Sequence, residues 1–150
     1  MIDRSQAFGT TVAFKNLRPI NPKDPKRCRG IMKVLVVDDN KHMTTIIQMM
    51  IEKKNHRVIT ANDGENGYSA YLQFKPDLVL TDIQMPRKNG FELMTMIRSH
   101  NPSIMGIYMT GDPDRFLPRL KEEQNRHQVN FICKPFTLSE LSMVLSKLQA

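Results

Sequence analysis

A chain of 150 residues with 40% hydrophobic and 25% charged residues fits one ordinary domain and excludes a disordered or fibrous composition. Its formal charge of +7 raises the prospect of a nucleic-acid partner, but seven Lys or Arg against two Asp give residues 1–31 a net +5, while fifteen basic against thirteen acidic residues leave 32–150 at only +2. The basic segment contains no recognisable nucleic-acid module, no apolar stretch approaches the roughly 18 residues of a membrane span, and residues 1–18 lack the apolar core of an export signal. The expectation is a cytoplasmic protein that binds neither membrane nor nucleic acid.

Residues 1–31 carry Pro19, Pro22 and Pro25 and no sustained hydrophobic period. They read either as a basic, disordered tail or as the product of a mis-assigned translation start, because Met32 immediately precedes the first apolar run. Residues 32–150 form the expected domain. Of the two cysteines, Cys28 and Cys133, the second falls in a run expected to be a buried strand, and no disulfide or cysteine metal site is expected.

From Met32 onward strands and helices alternate. The apolar runs 34–37, 57–61, 77–81, 104–109 and 130–133 read as strands of a parallel sheet covered on both faces. Between them, Met43, Ile46, Ile47, Met50 and Ile51 share one helical face; Tyr68, Tyr71, Leu72 and Phe74 share a second, ended by Pro76; Phe91, Met94 and Ile97 share a third, stopped at Asn101-Pro102. The fourth helix should lie within 112–126, where Pro113 and Pro118 point to a late start near Pro118 or to a short, mobile helix. The fifth opens with Thr137 and Glu140 as a capping box and buries Leu138, Leu141, Val144, Leu145 and Leu148. This is an α/β chain with a doubly wound, five-stranded parallel sheet in the flavodoxin-like order 2-1-3-4-5 and helices on both faces.

In open sheets of that kind ligands bind beyond the carboxyl ends of the strands. Asp38-Asp39, Asp82, Thr110 and Lys134-Pro135 each stand where an apolar run stops. Three carboxylates gathered there repel one another, which makes sense around a cation with a lysine nearby. That is the outline of a phosphoryl-transfer site. Adjacent aspartates alone are most often solvated turn residues; the register of Asp82, Thr110 and Lys134 with them is what raises the functional reading. His42, His56, His100 and His127 share no spacing and read as surface residues, and Met43, Met50, Met94 and Met109 read as core fillers.

Residues 34–40, reading VLVVDDN, the stretch 82–86 followed by Gly90, Thr110, and Lys134-Pro135-Phe136 together resemble the receiver domain of two-component response regulators over 32–150. The resemblance implies that Asp82 accepts a phosphoryl group from a sensor histidine kinase or phosphotransfer protein. It implies Mg²⁺ held by Asp38, Asp39, Asp82 and the backbone carbonyl of Gln84. It further implies that Lys134 and Thr110 contact the phosphoryl group, that the Lys134-Pro135 peptide is cis, and that Phe131, where relatives often carry tyrosine, moves inward as a switch. Gln84 and Asp112 occupy the two positions that tune self-catalysed dephosphorylation in relatives; no other enzyme activity is expected. Because the chain ends with the fifth helix, a stand-alone regulator acting on an unidentified target protein is the leading expectation. A receiver-like adaptor independent of phosphorylation is the alternative. Phe131 as a plain core aromatic also stays open. A hydrolase of the haloacid dehalogenase type requires an aspartate two residues after the nucleophile, where Gln84 stands.

Overall fold

The computed structural model describes residues 31–149, so nearly all of the expected basic segment, residues 1–30, lies outside the described residues. The elements alternate without exception: β1 (Lys33–Val37), α1 (Lys41–Glu52), β2 (Arg57–Ala61), α2 (Gly64–Phe74), β3 (Leu78–Asp82), α3 (Gly90–Arg98), β4 (Met105–Thr110), α4 (Pro113–Arg126), β5 (Val129–Cys133) and α5 (Leu138–Gln149). The strands form one parallel sheet in the order β2-β1-β3-β4-β5. Among the described residues no helix is long and apolar enough to cross a membrane.

Side chains alternate across a strand, so each apolar run feeds two cores. Leu35, Val37, Ile59, Val79 and Tyr108 point to the face covered by α2, α3 and α4, where they meet Tyr71, Phe74, Leu93, Ile97 and Leu120. Val34, Val36, Leu80, Ile107, Met109 and Ile132 point to the face of α1 and α5, against Ile47, Ile51, Leu141 and Leu145. Runs of alternate residues serving opposite cores are why the strands lack any polar period.

The helices bury narrower stripes than their apolar residues suggest. Ile46 is 47% exposed, Leu72 43% and Leu138 36%. In α1 the buried line is Thr44, Ile47 and Ile51, and Ile46 falls to its solvent side. Cys133 is exposed, correcting the expected burial: β5 is an edge strand, and among the described residues no strand pairs with its outer side. His56 is not an ordinary surface residue either. It is half-buried, its Nδ1 accepts from the Met32 amide at 3.0 Å, and burial followed by the Lys54 charge holds its pKa below the ordinary histidine value. His100 is exposed and hydrogen-bonded to the Tyr68 hydroxyl.

α4 departs most from expectation. It starts at Pro113, runs fourteen residues and passes straight through Pro118. Pro113 sits in the first turn, where a missing N–H costs nothing, and the Asp112 carboxylate accepts from the Arg115 amide at 3.4 Å to cap the same turn. Pro118 forfeits one interior bond. Tertiary contacts offset that loss: Glu123, 5% exposed, accepts from the Tyr108 hydroxyl at 2.8 Å and pairs with Arg98 at 2.7 Å, and within α4 it also pairs with Arg119 at 3.4 Å. Burial, then the Glu123 charge, pushes the Tyr108 phenol far above the ordinary tyrosine range. Glu123→Ala strands the Arg98 guanidinium in the interior and is expected to cost about 3–5 kcal/mol in a urea titration. Glu122→Ala, which breaks only the exposed pair with Arg126, is expected to change stability by about 0–0.5 kcal/mol.

Candidate functional site

The carboxyl ends of β1, β3, β4 and β5 meet at one edge of the sheet because β1 and β3 are neighbours with Val37 opposite Thr81, Asp82 opposite Met109 and Thr110 opposite Cys133. Asp82 and Thr110 are the last residues of their strands rather than the first residues beyond them. Asp38 follows β1 directly, held by donation of its amide to the Ala61 carbonyl at 3.1 Å.

Each oxygen of the Asp38 carboxylate has a donor. Oδ1 accepts from the Asn40 amide at 2.9 Å and Oδ2 from the Lys134 ammonium at 2.6 Å, with the residue only 1% exposed. Asn40 in turn caps α1, accepting from the amides of His42 and Met43, so one short loop fixes both the helix start and the aspartate. Lys134 also lies 3.4 Å from Asp82 Oδ2. Its backbone amide donates to the Thr110 carbonyl at 2.8 Å, which ties the end of β5 to the end of β4, and its peptide bond to Pro135 is cis. The Thr110 hydroxyl accepts from the Asp112 amide at 3.0 Å.

One oxygen each from Asp38, Asp39 and Asp82 can be chosen so that all three lie within 4.8 Å of one another; Asp38 and Asp82 are buried and Asp39 is exposed. Burial, then the Asp38 charge, lifts Asp82 above the ordinary carboxylate range, against the opposing pull of Lys134. For Lys134 burial is the largest effect and lowers its pKa, yet the Asp38 hydrogen bond and the charges of Asp38 and Asp82 outweigh it and leave the ammonium raised. The cluster is thus short of positive charge: among the described residues one lysine, Lys134, pairs with two of the three carboxylates, Asp38 and Asp82. A hard divalent cation that prefers oxygen ligands and keeps several waters suits this donor set.

The loop after β3 passes close under the cluster. A Cβ on Gly90 would stand 2.4 Å from the Asp82 carbonyl oxygen, and the Gly90 amide donates to the Ile83 carbonyl at 2.9 Å, so only glycine permits that approach. Arg87 holds a left-handed backbone at φ 71° and reaches Asp63 at 3.4 Å and Glu65 at 3.7 Å, joining the loop to the start of α2.

Of the residues expected from sequence, Asp38, Asp39, Asp82 and Lys134 come together directly and Thr110 joins through the backbone of Lys134. Gln84 lies exposed in the loop two residues past Asp82. Phe131 is half-buried opposite Tyr108 and packs against the core below α3 and α4. The brace from Asn40 and the tie from Arg87 to Asp63 were not anticipated. An Asn just before a helix is a readable cap signal, whereas a contact between residues 63 and 87 leaves no local trace.

Because the folded state raises the Asp82 pKa, the native chain binds more protons than the unfolded one in the window above the ordinary carboxylate value. Stability therefore falls as pH rises through that window, and the ionised Asp82 remains a cost at neutral pH. In metal-free buffer at pH 7, Asp82→Asn is expected to raise the melting temperature, and the gain is expected to shrink as pH falls toward 4.

Comparisons with known proteins agree with this geometry. Residues 34–146 match the family model for the response regulator receiver domain. The chain is 30% identical over 110 residues to the alkaline phosphatase synthesis transcriptional regulatory protein PhoP of Bacillus subtilis, covering 73% of this chain and 45% of that protein. It is 33% identical over 116 residues to protein CcdB of Bacillus subtilis, covering 77% of this chain and 95% of CcdB. Several curated relatives are longer: this chain spans less than half of PhoP and of the transcriptional regulatory protein RprY of Bacteroides fragilis. In fold it is similar to the chemotaxis response regulator CheY4 of Vibrio cholerae, with a TM-score of 0.71 at 22% identity over 79% of this chain and 99% of that one. With a family model that spans residues 34–146, most of its length, the chain belongs to the response regulator receiver domain family.

Proposed function

We propose that Asp82 accepts a phosphoryl group from the phosphohistidine of a sensor kinase or phosphotransfer protein, and that the chain passes the resulting change to a target protein. The observation that carries this reading is the gathering of three carboxylates, two of them paired with Lys134, at the carboxyl ends of neighbouring strands. In the proposed step an Asp82 carboxylate oxygen attacks phosphorus as the bond to the donor imidazole nitrogen breaks. The electron pair stays on that nitrogen, and the product is an acyl phosphate.

Asp38, Asp39 and Asp82, with the backbone carbonyl of Gln84, are the groups that would hold Mg²⁺. When bound, it supplies the positive charge against which phosphoryl oxygens can approach a carboxylate. Lys134 is the cation already on hand and is oriented by Asp38 at 2.6 Å. In this reading it moves from a shared contact with Asp82 to the phosphoryl oxygens as a mobile point charge. The Thr110 hydroxyl, engaged by the Asp112 amide, turns to the same oxygens, and Phe131 follows into the space released behind it. Gln84, exposed beside the site, and Asp112 set the access of the water that later hydrolyses the acyl phosphate. Partner proteins read the outcome through surface contacts that favour one of two conformations.

Intact mass after incubation with a small phosphodonor tests the reading. With Mg²⁺ the wild type is expected to gain one phosphoryl group and Asp82→Asn none, and chelation is expected to abolish the gain. Asp39→Asn is expected to weaken Mg²⁺ binding by about 10- to 100-fold, measured calorimetrically. A folded protein that binds Mg²⁺ and gains no mass from either a small donor or phosphorylated kinases would favour a fixed adaptor instead.

A further inference from the structure

The loop from Ile83 to Asn89 follows Asp82 directly and is fixed at both ends. Ile83 is 1% exposed and its amide donates to the Met109 carbonyl at 3.1 Å. At the far end Asn89 caps α3, and the Gly90 amide returns to the Ile83 carbonyl. The middle of the loop is held less evenly. On one flank Gln84, Met85 and Pro86 border a hollow of about 410 Å³ that is also lined by Phe91 of α3 and Phe116 of α4. On the other flank the loop lies on the start of α2.

That second contact is close. A Cβ on Gly64 would stand 2.5 Å from the Lys88 Cβ and 2.6 Å from the Lys88 carbonyl oxygen, so the first residue of α2 leaves room for the loop backbone only as glycine. Beside it Asp63 is buried and caps the helix, with Oδ1 accepting from the Asn66 amide at 2.7 Å and Oδ2 from the Asn66 side chain at 3.2 Å. The Arg87 guanidinium reaches the same Oδ2 at 3.4 Å and Glu65 at 3.7 Å. It does so from a left-handed backbone that an L side chain adopts at a cost. Because Asn66 already satisfies Asp63, Arg87 adds little to the cap of α2; what it adds is a hold on the loop.

We propose that Arg87 is a positioning residue: paired with Asp63, it latches the loop onto the start of α2 in the metal-free chain and so holds the Gln84 backbone carbonyl in place for Mg²⁺. The inference rests on the reading of that carbonyl as a metal ligand. A ligand group ordered in advance loses less freedom when the ion binds. The Arg87 side chain is 62% exposed, so the latch has the modest strength of a screened ion pair and tunes affinity. Charge alone predicts the opposite sign. Removing a positive charge from the loop after Asp82 would tighten the binding of a cation, whereas releasing the latch weakens it.

Calorimetric titration of the full chain with Mg²⁺, in the absence of any phosphodonor, tests the latch with Arg87→Asn. Asparagine is at home in the left-handed region but is too short to reach Asp63. Binding is expected to weaken by about 3- to 5-fold with the melting temperature unchanged or raised. In metal-free buffer amides 84–90 are expected to exchange about 3-fold faster or more, while β1 and β3 stay protected. Asp63→Asn, which keeps a capping side chain on α2, is expected to weaken Mg²⁺ binding as well, and the double variant no further than the weaker of the two. If Arg87→Asn fails to fold, Asp63→Asn reads the same latch through the exchange of 84–90, which a loss of charge alone does not speed. Unchanged or tighter Mg²⁺ binding in folded Arg87→Asn overturns the latch, as do losses that add in full in the double variant. A wild type that binds no Mg²⁺ overturns the metal reading and the proposal with it. A wild type whose Mg²⁺ affinity depends on Arg87 but that gains no phosphoryl group upholds the latch and counts against the phosphoacceptor reading.

Discussion

Mutual repulsion among Asp38, Asp39 and Asp82 is the constraint around which this end of the molecule is arranged. Two of the three are buried, and the single ammonium of Lys134 faces both. The fold forces the crowding: a sheet in the order 2-1-3-4-5 makes β1 and β3 neighbours, and residues at their ends cannot avoid each other. Much of the surrounding geometry manages the consequence. The Asn40 amide and the Lys134 ammonium occupy both oxygens of Asp38, the strand ends of β4 and β5 are tied through Thr110 and Lys134, and Gly90 lets the following loop pass within reach of the Asp82 carbonyl. Three carboxylates with so little positive charge beside them form a donor set that suits a hard divalent cation.

The two faces of the sheet are held by different forces. Below α1 and α5 the core is aliphatic, with Ile47, Ile51, Leu141 and Leu145 against the strands, and its stabilisation scales with apolar area removed from water. Below α3 and α4 aromatic rings and a buried ionic cluster take over near β4. Apolar contacts tolerate sliding, whereas a buried carboxylate with three partners has few acceptable positions. In this structure that contrast seats α4 despite its polar sequence and its interior proline.

Much of this was legible in the sequence for physical reasons. Strands buried on both faces leave unbroken apolar runs, and the aspartates, threonine and lysine interrupt those runs at their ends, so both the sheet order and the members of the cluster could be read before any coordinates. Amphipathic position was less legible. Ile46, Leu72 and Leu138 are apolar and exposed, because a helix on a sheet buries a narrow stripe and periodicity alone does not centre it. Cys133 was misjudged because an edge strand and a central strand have similar composition. α4 was misjudged because Pro118 is a strong local signal, while the contacts of Glu123 with Arg98 and Tyr108 come from other elements. His56 was missed for the same reason: its partner is the Met32 amide, twenty-four residues away.

The most direct test of the account is a ¹³C NMR titration of the aspartate carboxyl carbons, with Asp82 assigned by comparison with Asp82→Asn, in metal-free buffer and again with saturating Mg²⁺. Charge crowding relieved by a cation predicts that Asp82 titrates above the ordinary carboxylate range without metal and well below it once Mg²⁺ is bound. An Asp82 that titrates at the ordinary value in both conditions would contradict the claim that unbalanced negative charge organises the site.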